Sequence, residues 1–186
     1  MYSDKFLRVL EIILFYEGYY TNHSKDPGKE TYRGITIHTY KRAVKKELIL
    51  DKGITNLTEE DLRIIYFSLY WEPGNFELVD NLPVVTELFD TAILSGISKS
   101  IKIVQRVLLA LGEVIVHDGI LGPVTAGLIN KWSIKYPKQF FRLLNSLQGE
   151  FFVSLVEKDP ATYRPFLLGW TRRIQDYEEI QQKLSV

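Results

Sequence analysis

Apolar side chains recur at spacings of three and four residues along most of this chain, and that period commits it to helices rather than strands. Phe6, Leu10, Ile13 and Leu14 share one face of a first helix that the pattern ends near Glu17-Gly18. Residues 19–35 lose the period and gather Asn22, Asp26, Pro27, Gly28 and Gly34, the mark of an irregular, turn-rich loop with room for a short hairpin. The helical spacing returns from about residue 37 to 48. Thr58, with Asp61 three positions on, reads as an N-cap ahead of the stripe Leu62, Ile65, Tyr66 and Leu69. Pro83 suits the first turn of a helix burying Val84, Leu88 and Ala92. Ser98 is the expected cap of the next helix, which buries Ile101, Val104, Leu108 and Leu111 and stops at Gly112. Pro123 and Pro137 open two further helices, the second long and rich in phenylalanine, and a last helix is expected from about 169 to 184. Strand signals are few; the clearest is Val114-Ile115-Val116 before the turn Asp118-Gly119.

The expected fold class is therefore mainly α, with at most a small β-hairpin in the loop after the first helix. No repeat, low-complexity tract or linker divides the 186 residues. A seam near Gly96 separates residues 1–96 from 97–186, and the two portions are expected to pack as one domain. Basic and acidic residues balance at 23 each, so no bulk field points to nucleic acid. Cysteine is absent, which excludes disulfides and thiolate chemistry. No cofactor is expected: phosphate-binding, serine-nucleophile and paired-histidine zinc motifs are all missing, and His23, His38 and His117 are scattered. The first residues do not read as a signal peptide, because Glu11 interrupts the apolar stretch after Lys5 and Arg8.

One constellation suggests chemistry. Glu17 ends an apolar helix among Phe15, Tyr16, Tyr19 and Tyr20, and Asp26 follows in the turn Asp26-Pro27-Gly28, with Thr31 and Tyr32 beyond. Glycoside hydrolysis needs a carboxyl kept protonated for the leaving oxygen and a second group that holds water or steadies the cationic sugar. Aromatic neighbours disfavour the charged form of Glu17, whereas a loop aspartate among backbone donors stays ionised. The same residues also fit a solvated helix end and an ordinary turn. Spacing alone does not show that the two carboxyls face one cleft.

These residues carry a resemblance. Glu17-Gly18-Tyr19-Tyr20, Asp26-Pro27-Gly28 and Thr31-Tyr32-Arg33-Gly34-Ile35-Thr36 resemble the E-G-G-Y, D-P-G-G and T-x-x-G-I-T elements of glycoside hydrolase family 108. Tyr70-Trp71-Glu72-Pro73, Leu82-Pro83 and Leu88-Phe89-Asp90-Thr91-Ala92 resemble its Y-W-x-P, L-P and L-F-D-x-A elements. Asp118 to Thr125 is similar to the D-G-x-x-G-P-x-T signature of the peptidoglycan-binding region that follows in that family. Phe166, Gly169-Trp170 and Arg172-Arg173 resemble its terminal element. The resemblance implies a lysozyme-like fold and an N-acetylmuramidase activity on peptidoglycan glycan strands. It implies Glu17 as the catalytic acid, with Asp26 and Thr31 as candidates for a loop acid and a water-positioning hydroxyl. Tyr20, Tyr32, Trp71 and Asp90 become candidates for binding substrate, against core packing for the aromatics and a structural hydrogen bond for Asp90. Trp170 with the two arginines is expected to pin the last helix to the body.

Three positions depart from the pattern: Tyr19 and Lys29 stand where the family has glycine, and Leu94 where it has asparagine. The alternatives to a hydrolytic muramidase are a lytic transglycosylase, which also uses such a glutamate, and a non-catalytic wall-binding or secretion-accessory protein. The expected working place is the periplasm or cell wall, reached as a monomer with help from a holin or secretion system.

Overall fold

The computed structural model describes residues 2–16, 20–22, 30–171, 173–174 and 176–184, with Tyr16 and residues 20–22 described as backbone only. Helix α1 (Asp4–Tyr16) starts from Ser3, whose hydroxyl accepts from the Phe6 amide at 3.1 Å. It buries Phe6, Val9, Leu10, Ile12 and Ile13. Three short antiparallel strands follow, β1 (Tyr20–Asn22), β2 (Glu30–Tyr32) and β3 (Ile35–Thr36), in the order β1-β2-β3. This adds one short strand to the hairpin expected there.

Thr36 ends β3 and caps α2 (Ile37–Lys45) by accepting from the Thr39 amide at 3.2 Å. That helix stops three residues earlier than the apolar pattern suggested. Glu47 turns left-handed (φ +59°), and the Glu47 and Leu48 amides donate to Val44 and Ala43, closing the helix end. The capping box at Thr58 is present on α3 (Glu59–Tyr66), with Thr58 N to Asp61 Oδ2 at 2.7 Å and Asp61 N to Thr58 Oγ1 at 3.2 Å. The π-helical turn Phe67–Trp71 continues it.

Helix α4 (Leu82–Ser95) is the centre of the molecule. Pro83 through Ala92 are all buried, and the helix packs on α1 and on α5 (Ile97–Ala110), α7 (Pro137–Lys158) and α10 (Tyr177–Leu184). One hydrophobic cluster runs from Phe6 through Phe89 and Val104 to Leu184. Helix α6 (Pro123–Lys135) packs on α5 and α7. Fully burying a Phe or Leu side chain is worth roughly 1.5–3 kcal/mol, so this shared cluster is the main source of stability.

Three expectations are corrected. Gly96, not Ser98, stands at the start of α5, which begins at Ile97. Ser98 instead meets the Asp118-Gly119 turn: a Cβ on Gly119 (φ +79°) would lie 2.3 Å from Ser98 Oγ, so the close approach demands glycine. Residues 114–116 are not a strand, because among the described residues no backbone pairs with them, and Val114 is 96% exposed. The last helix is two pieces, α9 (Leu167–Thr171) and α10. Asp176 restarts the helix, its carbonyl accepting from Ile180 N at 3.1 Å and its carboxylate from Tyr177 N at 2.9 Å. Between α7 and α9 lie the short helix α8 (Pro160–Tyr163) and a 3₁₀ turn, Arg164–Phe166. Trp170 packs on Phe152, Tyr163 and Phe166 at 5.5–6.1 Å between ring centres. Among the described residues no helix is long and apolar enough to cross a membrane.

Candidate functional site

Of the residues singled out for chemistry, Thr31 and Tyr32 lie on β2, and Trp71 and Asp90 lie in the core. Glu17 and Asp26 lie outside the described residues, as do Tyr19 and Lys29; Tyr20 is described as backbone only. In sequence, Glu17 directly follows α1, and Asp26 falls between β1 and β2.

Thr31 is the middle residue of β2 and pairs in register with Thr21 and Thr36. Strand partners on both sides fix its backbone, and its half-buried hydroxyl has no hydrogen-bond partner among the described residues. Tyr32 pairs in register with Tyr20 and Ile35, and its half-buried ring rests against the core.

The β2–β3 turn holds a residue that sequence reasoning passed over. Arg33 (φ +47°) and Gly34 (φ +78°) are both left-handed, the geometry of a tight hairpin whose first position usually takes Asn or Gly. Tyr66, buried on α3, donates its hydroxyl to the Arg33 carbonyl at 2.9 Å and holds the turn there. The Arg33 guanidinium pairs with Glu59. It lines a cavity of about 650 Å³ together with Arg8, Glu11, Leu14, Phe15 and Arg63, along the face of α1 that leads toward its C-terminal end. The local signal was Arg-Gly inside the Thr31 to Thr36 stretch, read only for its glycine. A second cavity of about 460 Å³ lies beside α2 between Glu30, Lys41 and Asp51. There the Tyr40 hydroxyl donates to Asp51 at 2.6 Å and accepts from the Lys52 and Gly53 amides at 2.9 and 2.8 Å, which marks a structural anchor.

Trp71 and Asp90 do not take the substrate-lining places expected of them. Trp71 is 1% exposed; its ring packs on Phe6, Phe76 and Phe89, and its Nε1 donates to Glu77 at 3.1 Å. A ring enclosed on these sides offers no face to a sugar. Asp90 is 2% exposed and accepts two bonds from Arg173, Nε to Oδ2 at 3.1 Å and an Nη to Oδ1 at 2.7 Å. This fork ties the turn between α9 and α10 to the central helix. Leu94 is half-buried on the last turn of α4.

Glu87, one turn before Asp90, was not foreseen. It is fully buried, and its Oε1 has no hydrogen-bond partner among the described residues. Burial pushes its carboxyl well above the usual range, Asp90 adds to the rise, and Arg173 opposes it. Glu87 is thus neutral in the fold at pH values where it is charged in the unfolded chain, above about 4.3. The stability tied to it is complete below that pH and declines as pH rises toward the folded value. Glu87→Gln should therefore leave Tm nearly unchanged near pH 4 and raise it at pH 8, by about 2–4 °C per kcal/mol. Thermal melts across that range check this; a difference that does not grow with pH contradicts a buried, protonated Glu87.

The Asp118-Gly119 turn is held from inside by Gln105, itself fully buried. Gln105 Nε2 donates to Asp118 Oδ1 at 2.8 Å, and Gly119 N donates to Gln105 Oε1 at 2.8 Å. The Asp118 carboxyl, which also accepts from Ile120 N, is held below the usual range, first by the Gln105 bond and then by this amide. The arrangement fixes a corner before α6 and needs no ligand to explain it.

Comparison with known proteins settles the broad class. Residues 10–96 match the family Glycosyl hydrolase 108. The first half of this chain belongs to that glycosyl hydrolase family. Residues 99–175 match the Predicted Peptidoglycan domain. The glycosyl hydrolase 108 region and the peptidoglycan region meet at the Gly96 corner between α4 and α5, and together they make the chain a glycosidase directed at peptidoglycan. The solved structure of SagA from Brucella abortus is similar in fold, with a TM-score of 0.72 and 24% identity over 97% of this chain and 93% of that one. No curated protein matches the chain.

Proposed function

We propose that the chain is a lysozyme-type N-acetylmuramidase in which Glu17 is the general acid and Asp26 and Thr31 hold the attacking water. The observation that carries this reading is the match of residues 10–96, a span containing all three residues, to a glycosyl hydrolase family.

The local physics supports the division of roles. In sequence Glu17 directly follows α1, a 13-residue helix that has no basic side chain in its last turn. The C-terminal end of a helix disfavours a further negative charge, the direction in which a leaving-group acid has to be biased. Glu17 gives its proton to the glycosidic oxygen as the bond from C1 of the muramyl sugar breaks. A water on the opposite face adds to C1 and passes its proton to Asp26. Thr31, fixed on the middle strand with a hydroxyl that has no partner among the described residues, is suited to orient that water. Tyr20 and Tyr32 stand opposite each other in register and are proposed to border the sugar. On this reading the enzyme works on the wall from the periplasmic side as a monomer, exported by a holin or a secretion system.

A held water implies inversion, with the two carboxyls roughly 6.5–9.5 Å apart rather than the roughly 5–5.5 Å of a retaining pair. Asp26→Asn should lower the rate by about 10²–10⁴-fold while the fold persists. NMR of the first-formed anomer, with turnover of this variant, tests the scheme. Retained configuration removes the water from the first step, and a near-wild-type rate removes Asp26 from the mechanism.

A further inference from the structure

The corner between α6 and α7 presents an aromatic surface that the first site does not use. Trp132 and Tyr136, one helical turn apart, stack with centroids 5.8 Å apart and planes 27° off parallel. Both are fixed. Trp132 Nε1 donates to Glu113 Oε1 at 2.8 Å. The Tyr136 amide donates to the Trp132 carbonyl at 2.8 Å, and the Tyr136 carbonyl accepts from Phe140 N at 2.9 Å. Yet Tyr136 is 43% exposed, with Ile134 (80%) and Val114 (96%) exposed nearby in sequence to Tyr136 and Glu113.

The charges around the rings are unequal. Glu113 also accepts from Lys131 at 2.6 Å, and these bonds from Lys131 and Trp132 hold its carboxyl below the usual range. Lys131 is thereby neutralised. Lys135 lies 5.2 Å from the Tyr136 centroid and 6.0 Å from that of Trp132, with no carboxylate partner among the described residues. Two stacked rings beside an ammonium with no carboxylate partner among the described residues fit a pyranose whose C–H face stacks on an aromatic and which carries a carboxylate within reach. Because the Trp132 ring is already held by Glu113 and the Tyr136 ring stacks on it, binding costs less side-chain entropy than ordering two free rings would.

We propose that Trp132, Tyr136 and Lys135 form a second glycan subsite that takes a muramyl-peptide unit of the wall, its sugar on the rings and a stem-peptide carboxylate on Lys135. The proposal rests on peptidoglycan being the substrate. It assigns residues to wall binding in the second half of the chain and leaves the Asp118-Gly119 turn as scaffold.

The test is ¹H–¹⁵N NMR of the full chain carrying Glu17→Gln, titrated with a disaccharide-tetrapeptide bearing free carboxylates and, separately, with its carboxyl-amidated form. The chain has three tryptophans, so the Trp132 indole N–H is assigned by Trp132→Phe. Its resonance should shift saturably while that of core-buried Trp71 stays. Tyr136→Ala should weaken binding about tenfold and Tyr136→Phe by less than about twofold. Lys135→Gln should reduce the preference for the free-carboxylate fragment by about threefold. Lys135→Gln and Tyr136→Phe change little of the packing, so they decide the matter even if Tyr136→Ala loses its fold. A Trp132 resonance that stays put, with or without binding elsewhere, overturns the proposal, as does unchanged affinity in a folded Tyr136→Ala. If wild type cuts wall glycan while this resonance is silent, the subsite fails and the muramidase reading stands. If the resonance shifts and no glycan is cut, the reverse holds.

Discussion

Arg173→Ala is expected to destabilise the protein by about 3–5 kcal/mol, the usual loss when one partner of a buried ion pair is removed. The Asp90 side chain is 3% exposed, and both its oxygens are held by that one guanidinium. Without it, Asp90 must sit charged in the core next to Glu87, or take a proton, or drag α4 toward water. At about 2–4 °C per kcal/mol for a chain of this size, Tm should fall by roughly 6–20 °C. Asp90→Asn combined with Arg173→Leu should recover much of the loss, because the buried charge is gone from both sides. Urea or thermal unfolding of the three proteins checks this, and an Arg173→Ala loss below about 1 kcal/mol would place the pair among surface bridges of little weight. Activity should suffer too. The turn at Arg173 leads into α10, which packs on both α4 and α1, and α1 runs directly to Glu17.

Glu17→Gln should lower turnover by about 10⁴-fold, the top of the range for general acid–base assistance. The amide keeps the size of the side chain but has no acidic proton, and a sugar alkoxide is a poor leaving group near neutral pH. The cost in stability should be small, since the amide keeps the size and most of the hydrogen-bonding capacity of the carboxyl. The variant should keep its thermal midpoint and sediment with purified peptidoglycan as wild type does, yet release no new sugar ends. If it cuts as well as wild type, the acid lies elsewhere. If neither protein cuts any wall preparation, the non-catalytic alternative gains, and Tyr19, Lys29 and Leu94 become the first positions to restore to the family pattern.

Most helices were legible because their signals are local. The Thr58–Asp61 box, Pro83, Pro123 and Pro137 at helix starts, and Gly112 after α5 depend on hydrogen bonds within a few residues. What misled depends on contacts far along the chain. Residues 114–116 have strand chemistry but no strand to meet. The break between α9 and α10 leaves Arg173 beside Asp90, 83 positions away. Trp71 reads equally as a sugar platform or as core, and only the packing of Phe6 and Phe89 around it decides. The surroundings of the candidate residues were legible in the same uneven way. Thr31 lies on the middle strand of the sheet, within the stretch where the sequence left room for a hairpin, and Arg33 was marked only by the glycine after it, while the buried Glu87, whose Oε1 has no partner among the described residues, carries no sequence mark.

Mass spectrometry of fragments released from purified peptidoglycan tests the central claim most directly. The account predicts soluble fragments ending in reducing N-acetylmuramic acid, with one water added for each bond cut, released by wild type and absent with Glu17→Gln. Fragments ending in 1,6-anhydro sugar, in reducing N-acetylglucosamine, or in cleaved stem peptide would contradict it.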